Sequence, residues 1–138
     1  MKIAVRYYTK TGNTKKLADA VAEQLGLEAL TVDVPLSEDV DVLFLCNSVY
    51  WAGVDAKVKD FLANPGARIG RIINVSTAGI IESTYKQMKK IAFDYYIPLD
   101  TNEFHCRGSF NALHPGNPTA DDVKAVKIFA AGVVASLS

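Results

Sequence analysis

A short run of almost unbroken hydrophobic residues constrains the fold of this chain more than any other feature. The run DVLFLCN, residues 41–47, shows no alternation of apolar and polar positions. A strand with one face in water alternates, whereas a strand covered by helices on both faces is apolar throughout. The run therefore predicts a central strand of a parallel sheet that has helices packed on both of its faces.

The rest of the chain alternates between strand-like and helix-like patterns, as such a sheet requires. The connection at 35–40 is too short for a full helix, although it has room for one helical turn. Strands are predicted at 2–8, 27–34, 41–47, 69–76 and from Leu99 onwards, and helices at 13–25, 55–63, 83–95 and from Thr119 to the end. Because parallel crossovers are right-handed, this pattern predicts an α/β fold, a doubly wound five-stranded parallel sheet in the order 2-1-3-4-5, as one domain over residues 1–138.

Composition and charge narrow the possible partners. Hydrophobic residues make up 49% of the 138 residues, and 15 basic residues balance 15 acidic ones. This balance argues against nucleic acid or an anionic membrane as a partner, and it predicts a weak salt dependence of association. No apolar run approaches the length of about 20 residues that spans a membrane. The chain enters a strand directly, without a signal-peptide pattern, so we expect a cytoplasmic protein.

The cysteines and histidines do not predict a metal site or a catalytic residue. Cys46 lies in the apolar run and is expected in the core, and Cys106 follows His105 without further ligands nearby in sequence. A disulfide is not expected in the cytoplasm. For the segment Phe104–Phe110 and for His114, a structural or partner-docking role is favoured over proton donation.

A loop rich in threonine connects the first strand to the first helix. Amides at a helix N-terminus, together with the helix dipole, attract anions, and Gly12 would allow a ligand to approach the backbone closely. Neither G-x-x-x-x-G-K-[ST] nor G-x-G-x-x-G is present. A cluster of helix-capping threonines without a ligand is the alternative. The predicted anion-binding residues are Thr9, Lys10, Thr11, Gly12, Asn13 and Thr14.

The loop sequence T-K-T-G-N-T resembles the S/T-x-T-G-x-T loop of the flavodoxin family, which holds the phosphate of flavin mononucleotide (FMN). Tyr7, Ala18 and Val21 also match the family signature, whereas Arg6 occupies a position that is usually apolar. No long insertion interrupts the predicted fifth strand, so the chain resembles the short-chain members. The resemblance implies a flavodoxin-like fold with FMN as the cofactor.

The same resemblance implies that the loops after strands three and four cover the flavin ring. Tyr50 and Trp51 are adjacent aromatic residues, and we expect at least one to stack on the flavin, the alternative being a contact with the second helix. Gly53 or Gly79 would allow a peptide to rotate and offer its carbonyl to flavin N5. The implied ring-binding residues are Ser48, Val49, Tyr50, Trp51, Ala52 and Gly53 after strand three, and Ser76, Thr77, Ala78 and Gly79 after strand four.

The function implied by the resemblance is electron transfer between redox partner proteins, a reductase donor and an acceptor, carrying one or two electrons on FMN. The alternative is an FMN-dependent NAD(P)H or quinone reductase, or an oxidase, on the same fold. Such reductases tend to have a first loop rich in serine and arginine. A response regulator would need an acidic site after strand three, where this chain has Cys46-Asn47-Ser48, and a low-molecular-weight tyrosine phosphatase would need a cysteine in the first loop.

Overall fold

Strands and helices alternate along the computed structural model of the chain, which describes residues 1–10, 12–49, 54–78, 83–107 and 118–138. The strands in these ranges are β1 (Ile3–Tyr7), β2 (Ala29–Thr31), β3 (Val42–Val49), β4 (Ile72–Ala78) and β5 (Leu99–Arg107). The helices are α1 (Asn13–Leu25), α2 (Ala56–Ala63), α3 (Tyr85–Asp94) and α4 (Ala120–Leu137). All five strands are parallel and lie in the order β2-β1-β3-β4-β5, which confirms the predicted fold class and strand order.

Both faces of the central strand are buried, as its unbroken hydrophobic run predicts. Val42, Phe44 and Cys46 pack against residues of α1 and α4 on one face of the sheet. Leu43 and Leu45 pack against residues of α2 and α3 on the other face. Each of these five side chains is at most 1% exposed, so β3 forms the centre of two separate hydrophobic layers.

The C-terminus of α1 and the N-terminus of α4 lie where short sequence motifs predict them. Gly26 adopts a left-handed conformation (φ 69°) and its amide bonds the Ala22 carbonyl, which ends α1 at the predicted residue. Thr119 and Asp122 form a reciprocal capping box at the start of α4. In the ranges that the structure covers, no helix combines the length and the apolar character needed to cross a membrane.

The strands differ from the prediction at their ends. β3 and β4 each run two residues further than their apolar patterns, because the ladder continues with Ser48 opposite Thr77 and Val49 opposite Ala78. These four residues were predicted as loop residues and are strand residues instead, whereas Ser76, predicted as the last residue of the strand, lies within it. β2 is only three residues long, and residues 32–41 contain turns and bends but no helical turn.

Arg6, the residue that departs from the apolar pattern of β1, holds the connection between β2 and β3. Its side chain is only 7% exposed. Its Nε donates to the Val34 carbonyl at 2.8 Å, its Nη2 to the Pro35 carbonyl at 3.2 Å, and its Nη1 to the Val5 carbonyl at 3.0 Å. Burial lowers the pKa of this guanidinium. The connection lacks a helix to order it, and these bonds to its carbonyls provide an alternative anchor.

We expect Arg6→Met to lower the free energy of unfolding by about 1–3 kcal/mol, because two carbonyls of the connection lose their donors. Urea denaturation of the purified protein measures this change. The control is Lys2→Met, since Lys2 pairs with Glu38 at the exposed surface and its loss should change stability little. An Arg6→Met variant as stable as the parent would show that the connection is held by other contacts.

Candidate functional site

The loop after β1 and the ends of β3 and β4 meet at the carboxyl edge of the sheet. They meet because the strands are parallel, with Tyr7 opposite Cys46 and Ser48 opposite Thr77 in the ladder. In doubly wound sheets this edge, beside the strands where the order reverses, is where ligands bind. Here the reversal lies between β1 and β3.

The threonine-rich loop is folded back on itself before α1 begins. The Gly12 amide donates to Thr9 Oγ1 at 2.9 Å, which closes a tight turn. Gly12 has φ 89°, a left-handed conformation that costs other residues about 1–2 kcal/mol. A Cβ atom at Gly12 would meet no heavy atom within 4 Å. The backbone conformation therefore requires glycine here, and the space beside it is open to a ligand.

The N-terminus of α1 has no side chain that caps its free amide groups, unlike the N-termini of the other helices. Its N-cap residue is Gly12, which has no capping side chain, and its first turn contains no acidic residue. By contrast, Asp55 caps α2, Thr119 caps α4, and the Ser83 hydroxyl accepts from the Tyr85 amide at the start of α3. The positive end of the α1 dipole is thus available to an anion from outside the chain.

Three buried hydroxyls lie beneath this helix end. Thr14 Oγ1 and Thr77 Oγ1 are 3.2 Å apart and share a hydrogen bond. Ser48, the ladder neighbour of Thr77, is 5% exposed, and its Oγ has no hydrogen-bond partner among the described residues. A buried hydroxyl without a partner costs about 1–3 kcal/mol. A ligand oxygen at this position would remove that cost.

The remaining described residues of the loop contact the protein around it. Lys10 Nζ lies 3.8 Å from Asp55 Oδ2, which connects the loop to the start of α2. Asn13 is buried, with 6% of its surface exposed. The structure therefore brings together the predicted residues Thr9, Lys10, Gly12, Asn13, Thr14, Ser48 and Thr77.

On the opposite face of the sheet, a closed set of three hydrogen bonds fixes the start of α3. Asn47 Nδ2 donates to Asn74 Oδ1 at 2.7 Å, Asn74 Nδ2 donates to Thr84 Oγ1 at 3.0 Å, and Thr84 Oγ1 donates to Asn47 Oδ1 at 2.6 Å. All three residues are fully buried. We call this set the polar triangle. The sequence carries one signal for this set: an asparagine occurs in each of two otherwise apolar strands, Asn47 in β3 and Asn74 in β4.

The start of α3 is held to β4 and β5 as well. The Thr84 amide donates to Ser76 Oγ at 3.4 Å, and Ser83 Oγ donates to Glu103 Oε1 at 2.6 Å. Ser76 therefore directs its hydroxyl towards α3. The helix begins at Tyr85 with Thr84 as its N-cap, so the predicted range 83–95 begins two residues early. Ser83 still contributes to the start of the helix, because its hydroxyl accepts from the Tyr85 amide and donates to the Glu103 carboxylate.

Burial disfavours the thiolate form of both cysteines. Cys46 is fully buried, as predicted, and burial raises the pKa of its thiol above the usual range. Cys106 is half-buried, and burial raises the pKa of its thiol to about 12. Both thiols are free. His105 Nδ1 lies 3.5 Å from Glu103 Oε1 on β5. In the described ranges, no group of three or more His, Cys, Asp or Glu residues could hold a metal ion.

Several predicted site residues lie outside the described ranges. They are Thr11 in the first loop, Tyr50, Trp51, Ala52 and Gly53 after β3, and Gly79 after β4. The end of the segment Phe104–Phe110 and His114 lie outside them as well. Val49 ends β3 and Ala78, which is 3% exposed, ends β4.

Comparison with solved structures identifies the fold. Flavodoxin 1 from Bacillus cereus matches with a TM-score of 0.75 and 15% identity over 100% of both chains. A short-chain flavodoxin associated with a non-canonical PDU bacterial microcompartment matches with a TM-score of 0.67 and 17% identity, again over 100% of both chains. Rubredoxin oxygen:oxidoreductase from Desulfovibrio gigas matches with a TM-score of 0.73 and 14% identity, over 99% of this chain and 36% of the larger protein.

The chain has the flavodoxin-like fold, as the likeness of its threonine-rich loop to the flavodoxin loop implied. No model of a protein family matches the sequence, and no curated protein matches it either. At identities of 14–17%, the structural likeness shows the fold alone. The function has to be argued from the residues of the site.

We expect Thr84→Val to lower the free energy of unfolding by about 1–3 kcal/mol, because two buried asparagine side chains lose a hydrogen-bond partner. Chemical denaturation measures this loss. Thr101→Val is the control, since Thr101 is exposed on β5 and the same change of shape there should alter stability by less than about 0.5 kcal/mol. Equal stability changes in the two variants would contradict a stabilising role for the polar triangle.

Proposed function

We propose that this chain is an FMN-binding electron carrier, formed by one flavodoxin-like domain over residues 1–138. The observation that carries the proposal is the buried hydroxyl of Ser48, which has no hydrogen-bond partner among the described residues, at the sheet edge where α1 begins without a capping side chain. A positive helix end with free hydroxyl donors beneath it suits a phosphate monoester, which brings two charges and several acceptor oxygens. The flavodoxin-like fold supports the assignment of that phosphate to a flavin nucleotide.

The described residues fit the phosphate. Thr9 Oγ1 accepts from Gly12, which leaves its own hydroxyl proton free to donate to an anion. Ser48 donates its unused proton, and the open side of Gly12 allows close approach to the backbone. We assign phosphate binding to Thr9, Lys10, Thr11, Gly12, Asn13, Thr14 and Ser48.

The flavin ring is assigned to the loops that follow β3 and β4. Tyr50 and Trp51 are the aromatic residues proposed to cover its faces. Since the Ser76 hydroxyl is engaged by α3 and Thr77 by Thr14, the end of β4 would contribute mainly backbone groups. We assign ring binding to Val49, Tyr50, Trp51, Ala52, Gly53, Ser76, Thr77, Ala78 and Gly79.

Bound FMN supplies the redox chemistry of such a carrier, accepting one or two electrons from a reductase and releasing them to an acceptor protein. The protein contributes position and environment. The polar triangle and the Ser83–Glu103 bond hold α3, and therefore the end of the loop before it, against the sheet. No side chain of the described site is placed as a proton donor or a nucleophile in this proposal.

We expect Ser48→Ala to separate binding from folding. The dissociation constant for FMN should rise roughly 10- to 100-fold, since a hydrogen bond to a charged phosphate contributes about 1.5–3 kcal/mol. The stability of the flavin-free protein should be unchanged or higher, because the variant removes a buried hydroxyl that has no partner among the described residues. Affinity for riboflavin, which lacks the phosphate, should not change. Calorimetric titration with both flavins and urea denaturation measure these three quantities.

The control for this experiment is Ser136→Ala, which removes a hydroxyl that bonds the Val133 carbonyl near the end of α4. It should leave FMN affinity unchanged. The phosphate assignment would be wrong if Ser48→Ala left FMN affinity unchanged, or if the parent protein bound FMN and riboflavin equally well.

We expect the FMN-loaded protein to oxidise NADPH slowly by itself and rapidly when a flavodoxin reductase is added. The reason is that the chain lacks the G-x-G-x-x-G fingerprint and no nicotinamide-binding site is recognised in its sequence. Loss of NADPH absorbance, followed with a quinone as acceptor and with or without the reductase, measures the difference. Rapid oxidation without any reductase would favour the enzyme alternative over the carrier.

A further inference from the structure

The zero net charge of the chain conceals an uneven distribution. α2 and α3 lie on the same face of the sheet and carry five lysines against two aspartates, a net charge of +3. α1 and α4, on the other face, each carry equal numbers of basic and acidic residues. Residues 33–41, between β2 and β3, carry four acidic residues and no basic one. The chain therefore has a basic face, which its overall composition does not reveal.

Three lysines of this face form no ion pair within the described residues. Lys57 pairs with Asp33 and Lys90 with Asp94, both at exposed positions. Lys59, Lys86 and Lys89 are also exposed, and none of them pairs with a carboxylate in the described ranges. These charges are available to a partner, because no neighbouring carboxylate neutralises them.

Exposed aromatic side chains lie near these lysines, at the end of α3 and just after it. Phe93 lies one helical turn after Lys89 and is 79% exposed. Tyr96 follows the end of α3 and is 94% exposed, with a left-handed backbone (φ 58°) that is uncommon outside glycine and asparagine. Large exposed aromatic groups that cluster on one surface are typical of interaction sites, where aromatic residues are enriched.

A groove lies between α2 and α3, next to these exposed side chains. It has a volume of about 270 Å³ and is lined by Val54, Lys59, Gln87, Lys90, Ile91, Asp94 and Tyr95. Gln87 Oε1 is buried and has no hydrogen-bond partner in the part of the chain that the structure describes. The groove thus combines apolar walls with two lysines and one aspartate, and Asp94 already pairs with Lys90.

We propose that the outer surface of α2 and α3 is the docking face for a protein partner with an acidic surface. Carboxylates of the partner pair with Lys86 and Lys89, and its apolar side chains pack on Phe93 and into the groove. A folded protein fits better than a lipid surface, because a concave groove of about 270 Å³ suits a protruding side chain. Val54, which lines the groove, follows in sequence the residues 50–53 that are assigned to the flavin. The identity of the docked protein as a redox partner rests on the proposed function.

The test uses two small haem proteins of opposite charge as probes, the acidic haem domain of cytochrome b5 and the basic cytochrome c. Surface plasmon resonance with the whole chain should show tighter binding of cytochrome b5. That binding should weaken at least about 5-fold between 50 and 200 mM salt, since added salt screens charge pairs. Tighter binding of cytochrome c, or binding of cytochrome b5 that is insensitive to salt, would overturn the proposal.

Matched variants locate the contact. Lys89→Glu should weaken cytochrome b5 binding about 5-fold, whereas Lys124→Glu, the same reversal at an exposed lysine of α4, should change it less than about 2-fold. Phe93→Ala should weaken binding, and Ile128→Ala, which removes a 66% exposed side chain from α4, should not. Equal effects within either pair of variants would overturn the docking face.

Two further measurements exclude other occupants of the face. If Lys89→Glu abolished binding to phosphatidylserine vesicles and left cytochrome b5 binding intact, the face would bind lipid. Sedimentation that showed self-association lost in Lys89→Glu would assign the face to residues 33–41 of a second copy. None of these readouts needs the flavin. If FMN failed to bind but the four variants changed cytochrome b5 binding as expected, the proposed carrier function would be wrong and the docking face would still be supported.

Discussion

The parallel pairing of β3 with β1 and β4 is the constraint on which the rest of the structure depends. Because β3 is buried on both faces, helices have to cover both sides, and each crossover has to return to the same end of the sheet. The carboxyl ends of all five strands therefore lie at one edge of the sheet. The buried polar residues of β3, Asn47 and Ser48, lie at that edge, where the ladder still satisfies their backbone groups.

That edge divides into two halves with different chemistry. On the α1 side, Thr14 and Thr77 bond each other, and Ser48 Oγ has no hydrogen-bond partner among the described residues. On the α3 side, Asn47, Asn74 and Thr84 bond each other in a closed set. A satisfied polar network in the core specifies one arrangement, whereas an unsatisfied one costs stability unless something binds. The contrast supports a ligand on the α1 side and a fixed scaffold on the α3 side.

The sequence predicts the fold well because its signals are local and repeated. The run VLFLC, the stop at Gly26 and the capping box at Thr119 each depend on neighbours within a few residues. The strand ends at Val49 and Ala78 were missed because they depend on pairing between strands 29 residues apart. Loop composition predicts an anion site, but only the packing of β3, β4 and α1 leaves Ser48 Oγ without a partner among the described residues. Arg6 departs from the apolar pattern of β1, and nothing in its own strand indicates the carbonyls that it bonds.

The arrangement of charge over the surface adds to what the net charge alone indicates. Zero net charge predicts weak electrostatic steering of partners, and steering also depends on how charge is arranged. Folding places the five lysines of α2 and α3 on one face of the sheet. The acidic connection 33–41 neutralises part of this charge, because Asp33 pairs with Lys57, whereas Lys59, Lys86 and Lys89 form no ion pair within the described residues. A chain of zero net charge thus carries unpaired basic groups on one helical surface, because ion pairing depends on which elements pack together and not on composition.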